Sequence, residues 1–541
     1  MRSIRLDPKL NELYNYVISL TKQFNRTIPE IRFFVLEGLE FVSLLEKRVY
    51  PVSPLNIWEG KRMVSRKYRI QTGQESTLYY EVVQTGNPSY AYLNKSNSPM
   101  VQASVMAHVV GHCEFSELNI LKDSNPDRTE FVLYLVRKVD LARNQMGERQ
   151  YLNYWNACES IVPLLSPHSQ HNLANSIDTE TTISKNVEQK EEEQEQKKAA
   201  SMPISSTLSS LIHSTVKNNI FGEEVKKKKR QETLSRIGYT LKAPCQDILG
   251  FLRKFAPTSR SERAILDYLY TVYYPHDFVL RTQIMNEGWA MYWEKKIMIE
   301  LFKERIIKGI IDYSRIFSGV CYPRPYFMRN PYHLGYNLWC TIEELYRDGK
   351  VCLEYQQEKD IEKKRKWKKE TACDPIKEMS HLVSTITDYE FLRRFLTPEL
   401  IHNFHLNRIS KKQAEFFKLS EEDIIDMNDS WVWLNPEPIR DEMLKFYTHF
   451  GRPRIYIIDT DFQDGGLLLF HRDDRRELRK DWIKPTLRNL NIVWKNSIFL
   501  LSKNTLYSYI AERYKETIIT PLKFDQITER LFKNHKPFKL E

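Results

Sequence analysis

A long polar segment divides the chain and limits what each part of it can fold into. From about Ser166 to Leu234 the sequence is repetitive, polar and poor in aromatic residues. Such a segment cannot bury enough apolar surface to offset the entropy lost on ordering. We therefore predict a disordered linker or insertion at residues 166–234. The whole chain of 541 residues also exceeds one ordinary core, so several domains are expected.

The sequence on both sides of this segment has mainly helical periodicity. We predict a mainly α fold with a helical, bundle-like core, in which Pro29 begins a second N-terminal helix that continues through Val35, Leu39, Val42 and Leu45. The predicted domains are an N-terminal helical domain (1–165), the linker (166–234), a central helical domain (235–436) and a small C-terminal α+β module (437–541). The predicted β elements are a small hairpin of Tyr79–Val83 and Tyr90–Leu93, and module strands Arg454–Asp459, Leu467–His471, Ser497–Leu501 and Leu506–Ile510 around a helix Arg479–Trp494.

Charge and cysteine usage exclude several classes of function. The formal net charge is +11, but much of the excess lies in two short basic runs, Lys226–Arg230 and Lys363–Lys369. Basic runs without a nucleic-acid-binding motif are weak support for a nucleic-acid partner, so we predict none. No apolar run is long enough to span a bilayer. Seven scattered cysteines without a C-x-x-C pair indicate a reducing, cytoplasmic compartment.

Two distant segments carry residues suited to metal binding. Met106–Asn119 contains His108 and His112, whose spacing places both imidazoles on one face of a helix. The second segment, Arg281–Glu294, offers the carboxylate of Glu287. Two histidines and one carboxylate suit zinc, and they also suit another divalent transition metal such as iron.

Glycines lie beside the candidate ligands. Gly111 precedes His112 and Gly288 follows Glu287. A glycine inside a helix is unfavourable by about 1 kcal/mol relative to alanine, so its presence there favours close helix packing. We predict that His108, His112 and Glu287 converge on one point, with the two helices antiparallel or crossing at these glycines.

Two other interpretations of these residues stay open. Histidines four residues apart are often buried polar side chains that are satisfied by hydrogen bonds. Cys113 could instead act as a nucleophile with a histidine, although adjacent helical residues diverge by about 100°, which directs Cys113 away from the His108 and His112 face.

A set of short motifs is spread along the chain: Trp58–Lys61, Tyr80–Val83, Asn87–Pro88, Ala91–Leu93, Ala107–His112 with Phe115 and Asn119, Ala256–Pro257, Tyr274–Pro275, Thr282–Ala290, Asn330–Tyr332 with Leu334–Gly335, and Phe395–Pro398. Together these motifs resemble the stage V sporulation protein R (SpoVR) family. The resemblance implies a cytoplasmic protein of the mother cell that acts in spore cortex (peptidoglycan) formation, with a PrkA-type serine kinase and a YhbH/YeaH-type protein as candidate partners. Glu294, Ser116 and Thr341 depart from the family pattern, so we expect a divergent member.

The ligand set is also similar to that of gluzincin metallopeptidases, which implies gluzincin-like active-site helices. Those enzymes have His-Glu-x-x-His on one helix, and here Val109 occupies the position of the glutamate that acts as general base. Glu294 or Glu114 could substitute as the catalytic base. The sequence therefore suggests a metal-dependent hydrolase or amide-processing enzyme acting on a peptide-like substrate or cortex precursor. The alternative is a non-catalytic scaffold that recruits partners for cortex assembly.

Overall fold

The computed structural model describes residues 6–37, 82–86, 88–122, 128–169, 244–369 and 374–534, together with Phe538 and Leu540. The protein is mainly helical with small sheets, as predicted from the sequence. It divides into two compact units: Met1–Phe131 with Phe278–Phe450, and Val132–Asp277 with Gly451–Glu541. The four contiguous domains predicted from the sequence stay a prediction. Each of the two compact units instead combines two separate segments of the chain. From residue 170 onward, the predicted linker lies outside the described residues.

In chain order the helices are α1 (Pro8–Gln23), α2 (Pro99–Leu118), α3 (Arg128–Met146), α4 (Glu148–Ser160), α5 (Ile248–Phe255), α6 (Arg260–Lys303), α7 (Ile310–Val320), α8 (Pro331–Arg347), α9 (Leu353–Gln357), α10 (Ile361–Arg365), α11 (Pro375–Thr385), α12 (Asp388–Phe395), α13 (Pro398–Asn403), α14 (Lys411–Phe417), α15 (Pro436–His449), α16 (Lys480–Trp494) and α17 (Phe524–Asn534). The strands are β1 (Ile31–Leu36), β2 (Val82–Gln84), β3 (Ser89–Asn94), β4 (Arg408–Ser410), β5 (Ile424–Met427), β6 (Trp431–Leu434), β7 (Arg454–Phe462), β8 (Gly466–Arg472), β9 (Ile498–Ser502), β10 (Thr505–Ile510) and β11 (Arg513–Ile518).

The first unit begins with a small sheet of order β1-β3-β2. Strands β2 and β3 pair antiparallel, so the predicted hairpin is confirmed over its described residues. The predicted helix beginning at Pro29 is wrong over residues 31–36, because these residues form β1 and pair parallel with β3. The run Ile-Arg-Phe-Phe-Val-Leu is rich in β-branched and aromatic residues and alternates buried with less buried positions, which is the strand period.

Helix α6 is one continuous helix of 44 residues. Its interior contains Pro275, and a proline there removes one hydrogen bond of the helix. The structure accommodates Pro275 inside the helix. The residues of α6 from Phe278 onward belong to the first unit, where they pack in a cluster of buried aromatic and aliphatic side chains that includes Trp289, Trp339 and Phe391.

The second unit contains a five-stranded sheet of order β11-β10-β9-β8-β7. Strands β8 and β9 pair in parallel, and the other neighbours are antiparallel. Helix α16 contacts β9 and β10. The predicted C-terminal strands and helix are therefore confirmed as one α+β arrangement. Strand β11 and helix α17 were not predicted, and neither was the small sheet β4-β6-β5 of the first unit.

Candidate metal centre

Helix α2 presents His108 and His112 from an almost wholly buried position. Ser98 caps the helix by accepting a hydrogen bond from the backbone N–H of Val101, and Pro99 occupies the first turn. A proline is tolerated there because the backbone N–H that it lacks would have no partner within the helix. Every residue from Val101 to Phe115 is buried. An apolar helix of this kind belongs inside a protein, so the polar side chains on it require partners.

Glu287 of α6 lies opposite both imidazoles. Its Oε2 atom is 3.7 Å from Nε2 of His108 and 3.4 Å from Nε2 of His112. One ligand atom from each of the three side chains lies within 4.8 Å of the others. The structure therefore brings together the three residues that the sequence predicted would converge.

Hydrogen bonds on the far side of each ring fix its orientation. Nδ1 of His108 is 2.9 Å from Oε2 of Glu294, and Nδ1 of His112 is 2.8 Å from Oδ1 of Asn286. Because a carboxylate and an amide oxygen only accept, Nδ1 of each neutral ring carries the proton and Nε2 carries the lone pair. The two lone pairs are thus on the nitrogens nearest Glu287.

The carboxylate of Glu287 completes a set of three acceptors around one point. Burial alone would raise the pKa of Glu287, but its interactions with His112 and His108 lower that pKa well below the ordinary value, so the group is ionised at neutral pH. Its Oε2 atom is buried and has no hydrogen-bond partner among the described residues. Acceptors that face one another without a proton between them repel, and a cation removes that repulsion.

The spacing of the acceptors fits a metal ion. Ligand atoms in a tetrahedral site with bonds of about 2.1 Å lie about 3.4 Å from one another. The distances of 3.4 and 3.7 Å match this value and exceed the length of a charge-assisted hydrogen bond, roughly 2.8 Å. The donor set and its geometry therefore suit zinc or a similar divalent ion.

Glu294 has both carboxylate oxygens engaged. Oε2 binds His108, and Oε1 accepts a hydrogen bond of 2.6 Å from the hydroxyl of Ser104. Sequence reasoning missed Ser104, although it precedes His108 by four residues and so lies on the same helical face. That spacing was the signal that could have found it.

Glu114, the other carboxylate predicted as a base, is also engaged through both oxygens. Oε1 accepts from Nε of Arg26 at 2.7 Å, and Oε2 accepts from the indole N–H of Trp289 at 2.9 Å. Burial raises the pKa of Glu114 although Arg26 opposes the shift. These contacts fasten α2 to α6 and to the residues that follow α1.

Close backbone approaches hold the ligand-bearing helices in place. A Cβ atom on Gly111 would come within 2.6 Å of the Cα atom of Ala290, so α2 meets α6 there. Gly288, in contrast, faces Gly335 of α8, where a Cβ would lie 2.2 Å from the carbonyl carbon. The predicted crossing of two helices at two glycines is therefore a packing of three helices, with α6 between α2 and α8.

Comparison with known proteins shows the family. The SpoVR-like protein family model matches residues 18–451. The chain belongs to the SpoVR-like family. It is also 24% identical over 461 residues to the uncharacterized protein YcgB of Escherichia coli (strain K12), with 82% of each chain covered. No solved structure matches the chain.

The SpoVR-like match includes every residue of the candidate centre. It ends at residue 451, which lies before β7, so the strands of the five-stranded sheet fall outside it. None of the helices that the structure describes has the length and apolar character needed to cross a bilayer.

The remaining sequence-based candidates lie in different surroundings. Cys113 packs in a cluster of buried apolar residues with Met106 and Val110. Tyr332 lies beside the centre, with its ring centroid 6.2 Å from that of His108. Tyr80 and Glu81, which belong to a motif of the SpoVR resemblance, lie outside the described residues.

Proposed function

We propose that this SpoVR-like protein is a metalloenzyme in which His108, His112 and Glu287 hold a divalent transition metal, with zinc as the first candidate. The observation that carries the proposal is that Oε2 of Glu287 is buried opposite two imidazole nitrogens and has no hydrogen-bond partner among the described residues. A buried group that lacks a partner is unfavourable by about 1–3 kcal/mol, and a bound cation would remove that penalty.

The number of ligands favours catalysis over a purely structural role. Structural zinc sites are usually closed by four protein ligands, whereas catalytic sites use three and leave a position open. His108, His112 and Glu287 are the group of three found among the described residues. A divalent metal held there would act as a Lewis acid and lower the pKa of a water molecule in the open position.

The residues around the ligands have distinct roles in this proposal. Glu294 and Asn286 keep Nδ1 of each ring protonated and hold the rings in orientation, as hydrogen-bonded partners of metal-binding histidines commonly do. Glu114 fastens helices through Arg26 and Trp289. We therefore give Glu294 an orienting role toward His108, and we place Glu114 outside the proton transfer.

The chemistry suggested by this gluzincin-like ligand set is hydrolysis of an amide bond in a peptide-like substrate. Within a family named for sporulation, a precursor of the spore cortex peptidoglycan is the substrate class that we propose. A mother-cell location, and a PrkA-type serine kinase and a YhbH/YeaH-type protein as partners, belong to the same proposal.

A non-catalytic scaffold is the second candidate. Val109 stands where a gluzincin has its base, and both other candidate carboxylates have their oxygens engaged. A protein that binds metal to stabilise a partner-binding fold would need no base. Metal binding is common to both candidates, and turnover separates them.

Metal content of the purified protein tests the proposal directly. We expect about one zinc or other transition-metal ion per chain by elemental analysis, and loss of that ion in His112→Ala. His333→Ala is the matched control, because His333 is another buried histidine of the first unit whose ring nitrogens contact the carbonyls of Cys321 and Phe404. This control should keep its metal.

Two results would contradict the proposal. One is a wild-type protein that binds no transition metal after reconstitution with excess ion followed by desalting. The other is equal metal retention in His112→Ala and wild type. A metal-loaded protein that cleaves no cortex-type peptide would favour the scaffold.

A further inference from the structure

Asp388 is a wholly buried acid that contacts the helix carrying Glu287. It lies at the start of α12 and its exposed fraction is 0%. Its two carboxylate oxygens accept the backbone N–H groups of Ile284 and Met285 at 2.8 and 2.9 Å. Both donors belong to α6, about one turn before Glu287. Nothing in the sequence pointed to this contact, which joins residues more than a hundred positions apart.

The two donors lie inside a continuous helix, where such groups normally have other partners. In a regular α-helix the N–H of residue i donates to the carbonyl of residue i−4. A side chain that enters this ladder is one of the identified causes of a local bend. In the same part of α6, the hydroxyl of Thr282 donates to the carbonyl of Phe278, and hydrogen bonds of this kind are another cause of helix bending.

Helix α8 holds the carbonyl side of the same turn. The indole N–H of Trp339 donates to the carbonyl oxygen of Met285 at 3.0 Å. Gly335 packs so closely on the carbonyl oxygen of Ile284 that a Cβ atom would lie 2.0 Å from it. The backbone of Ile284 and Met285 is therefore contacted from two sides. Asp388 accepts hydrogen bonds from the two N–H groups, and α8 contacts the two carbonyl oxygens.

We infer that Asp388 is a positioning residue that fixes the turn of α6 from which Asn286 and Glu287 project toward the imidazoles. Asn286 orients His112 and Glu287 is the carboxylate ligand, so one anchor sets two components of the centre. The effect on metal binding rests on the proposed function, whereas the effect on the helix turn does not. Asp388 itself touches no ligand atom and acts through the backbone.

The energetics favour a specific role for this acid. Burying a carboxylate is unfavourable by several kcal/mol unless hydrogen bonds compensate. Burial raises the pKa of Asp388 to about 8, although the two backbone N–H groups lower it. An apolar residue would fill the same space without that penalty, so the acid is best explained by the two N–H groups that it alone can accept.

The test compares Asp388→Asn with Asp247→Asn at pH 8.5, above the raised pKa of Asp388. Asp247 is a matched buried acid of the second unit that accepts the N–H groups of Ser166 and Gly250. Asparagine keeps the size but turns one acceptor into a donor that faces an N–H. Two quantities are measured: zinc affinity by competition with a chromophoric chelator, and hydrogen exchange of the peptide covering residues 280–290 in the metal-free protein.

We expect Asp388→Asn to weaken zinc binding by 10- to 100-fold, the range typical of residues that support metal ligands, and to speed exchange in residues 280–290. Asp388→Glu, which restores both acceptors on a longer side chain, should recover part of the affinity. Asp247→Asn should leave both readouts within about twofold of wild type, even if it lowers thermal stability.

The exchange measurement keeps the inference separate from the proposed function. Unchanged exchange at residues 280–290 in a folded Asp388→Asn protein would overturn the inference, as would wild-type zinc affinity in that variant. If wild type binds no zinc but Asp388→Asn still loosens residues 280–290, the positioning role stands and the proposed metal centre fails.

Discussion

Each unit contains a buried histidine held by a carboxylate, and only one of these pairs belongs to a candidate metal centre. In the first unit, Nδ1 of His108 lies 2.9 Å from Glu294. In the second unit, Nδ1 of His168 lies 3.0 Å from Asp277. The side-chain exposures are also similar, 8% and 7% in the first pair and 9% and 2% in the second.

The two pairs differ on the opposite side of the imidazole. Nε2 of His108 faces Glu287 and lies on the same helical face as His112. Nε2 of His168 is buried without a hydrogen-bond partner in the part of the chain that the structure describes, and the ring packs against Tyr274 at 5.0 Å. A histidine–carboxylate pair is therefore a general way to bury an imidazole, and additional ligands from another helix make it a candidate metal site.

The close packing of the helices that carry the ligands is therefore the first property to test by mutation, and we expect the largest effect there. A Cβ on Gly288 would lie 2.2 Å from the backbone of Gly335, so Gly288→Ala must push α6 away from α8. We expect a loss of about 3 kcal/mol of unfolding free energy, at the upper end of overpacking effects, together with loss of metal. Chemical denaturation and elemental analysis measure the two effects.

Gly319→Ala is the matched control for that substitution. Gly319 also lies within a helix, α7, but a Cβ there would meet no atom within 4 Å. This variant should match wild type or gain up to about 1 kcal/mol, since alanine is the better helix former. Equal effects of the two substitutions would show that close approach at Gly288 does not hold the centre together.

Removing the charge of each carboxylate partner sharpens the comparison between the two histidines. Glu294→Gln still occupies the space beside His108 but no longer stabilises a proton on Nδ1 as strongly. We expect zinc affinity to fall by 10- to 100-fold, about 1.4–2.7 kcal/mol. Asp277→Asn makes the same change beside His168 and should leave zinc affinity unchanged.

Stability measurements complete this comparison. Both substitutions weaken a buried hydrogen bond to a histidine, so both should lower the unfolding free energy by roughly 1–3 kcal/mol in the metal-free protein. If Asp277→Asn reduced zinc affinity as much as Glu294→Gln, the distinction drawn between the two pairs would be wrong.

The ligands of the centre were predictable because their spacing follows local geometry. His108 and His112 lie four residues apart, which fixes a common face on any helix. Glu287 was identified from its motif. The residues that support those ligands were only partly predictable from the sequence. Ser104 continues the same spacing, whereas Asp388 and Arg26 contact the ligand-bearing helices from distant segments. Contacts of that kind depend on tertiary packing, which periodicity does not encode.

The fold shows the same limit in its β elements. The strands β7–β10 were predicted because each is a short apolar run bounded by turn residues. Strand β1 was mistaken for a helix, since its identity depends on pairing with β3 some sixty residues later. Strand β11 was missed because it is largely exposed and lacks the apolar alternation on which strand prediction relies.

The smallest expected effect concerns the two segments on either side of residues 170–243, the first of which contains His168. Described residues stop at Ser169 and resume at Pro244. The hydroxyl of Ser169 donates to Oε1 of Gln246 at 2.6 Å, and the N–H of Ser166 donates to Asp247 at 3.0 Å. The two ends are thus fastened side by side. His168 lies between Ser166 and Ser169, and its contact with Asp277 is a further attachment of this segment. We therefore interpret the pair formed by His168 and Asp277 as structural, in contrast to the pair formed by His108 and Glu294.

Replacing residues 170–243 with eight glycine and serine residues should therefore preserve the fold and the metal content. Each halving of a closed loop recovers about 0.6 kcal/mol of closure entropy, so about three halvings give at most about 2 kcal/mol of added stability. Denaturant unfolding and elemental analysis measure both quantities. In the shortened protein, His168→Ala should remove this gain, because the fastening is weakened. A shortened protein that loses helical circular dichroism or its metal would show instead that residues 170–243 contribute to the fold, and the interpretation of His168 as a fastener would then be wrong.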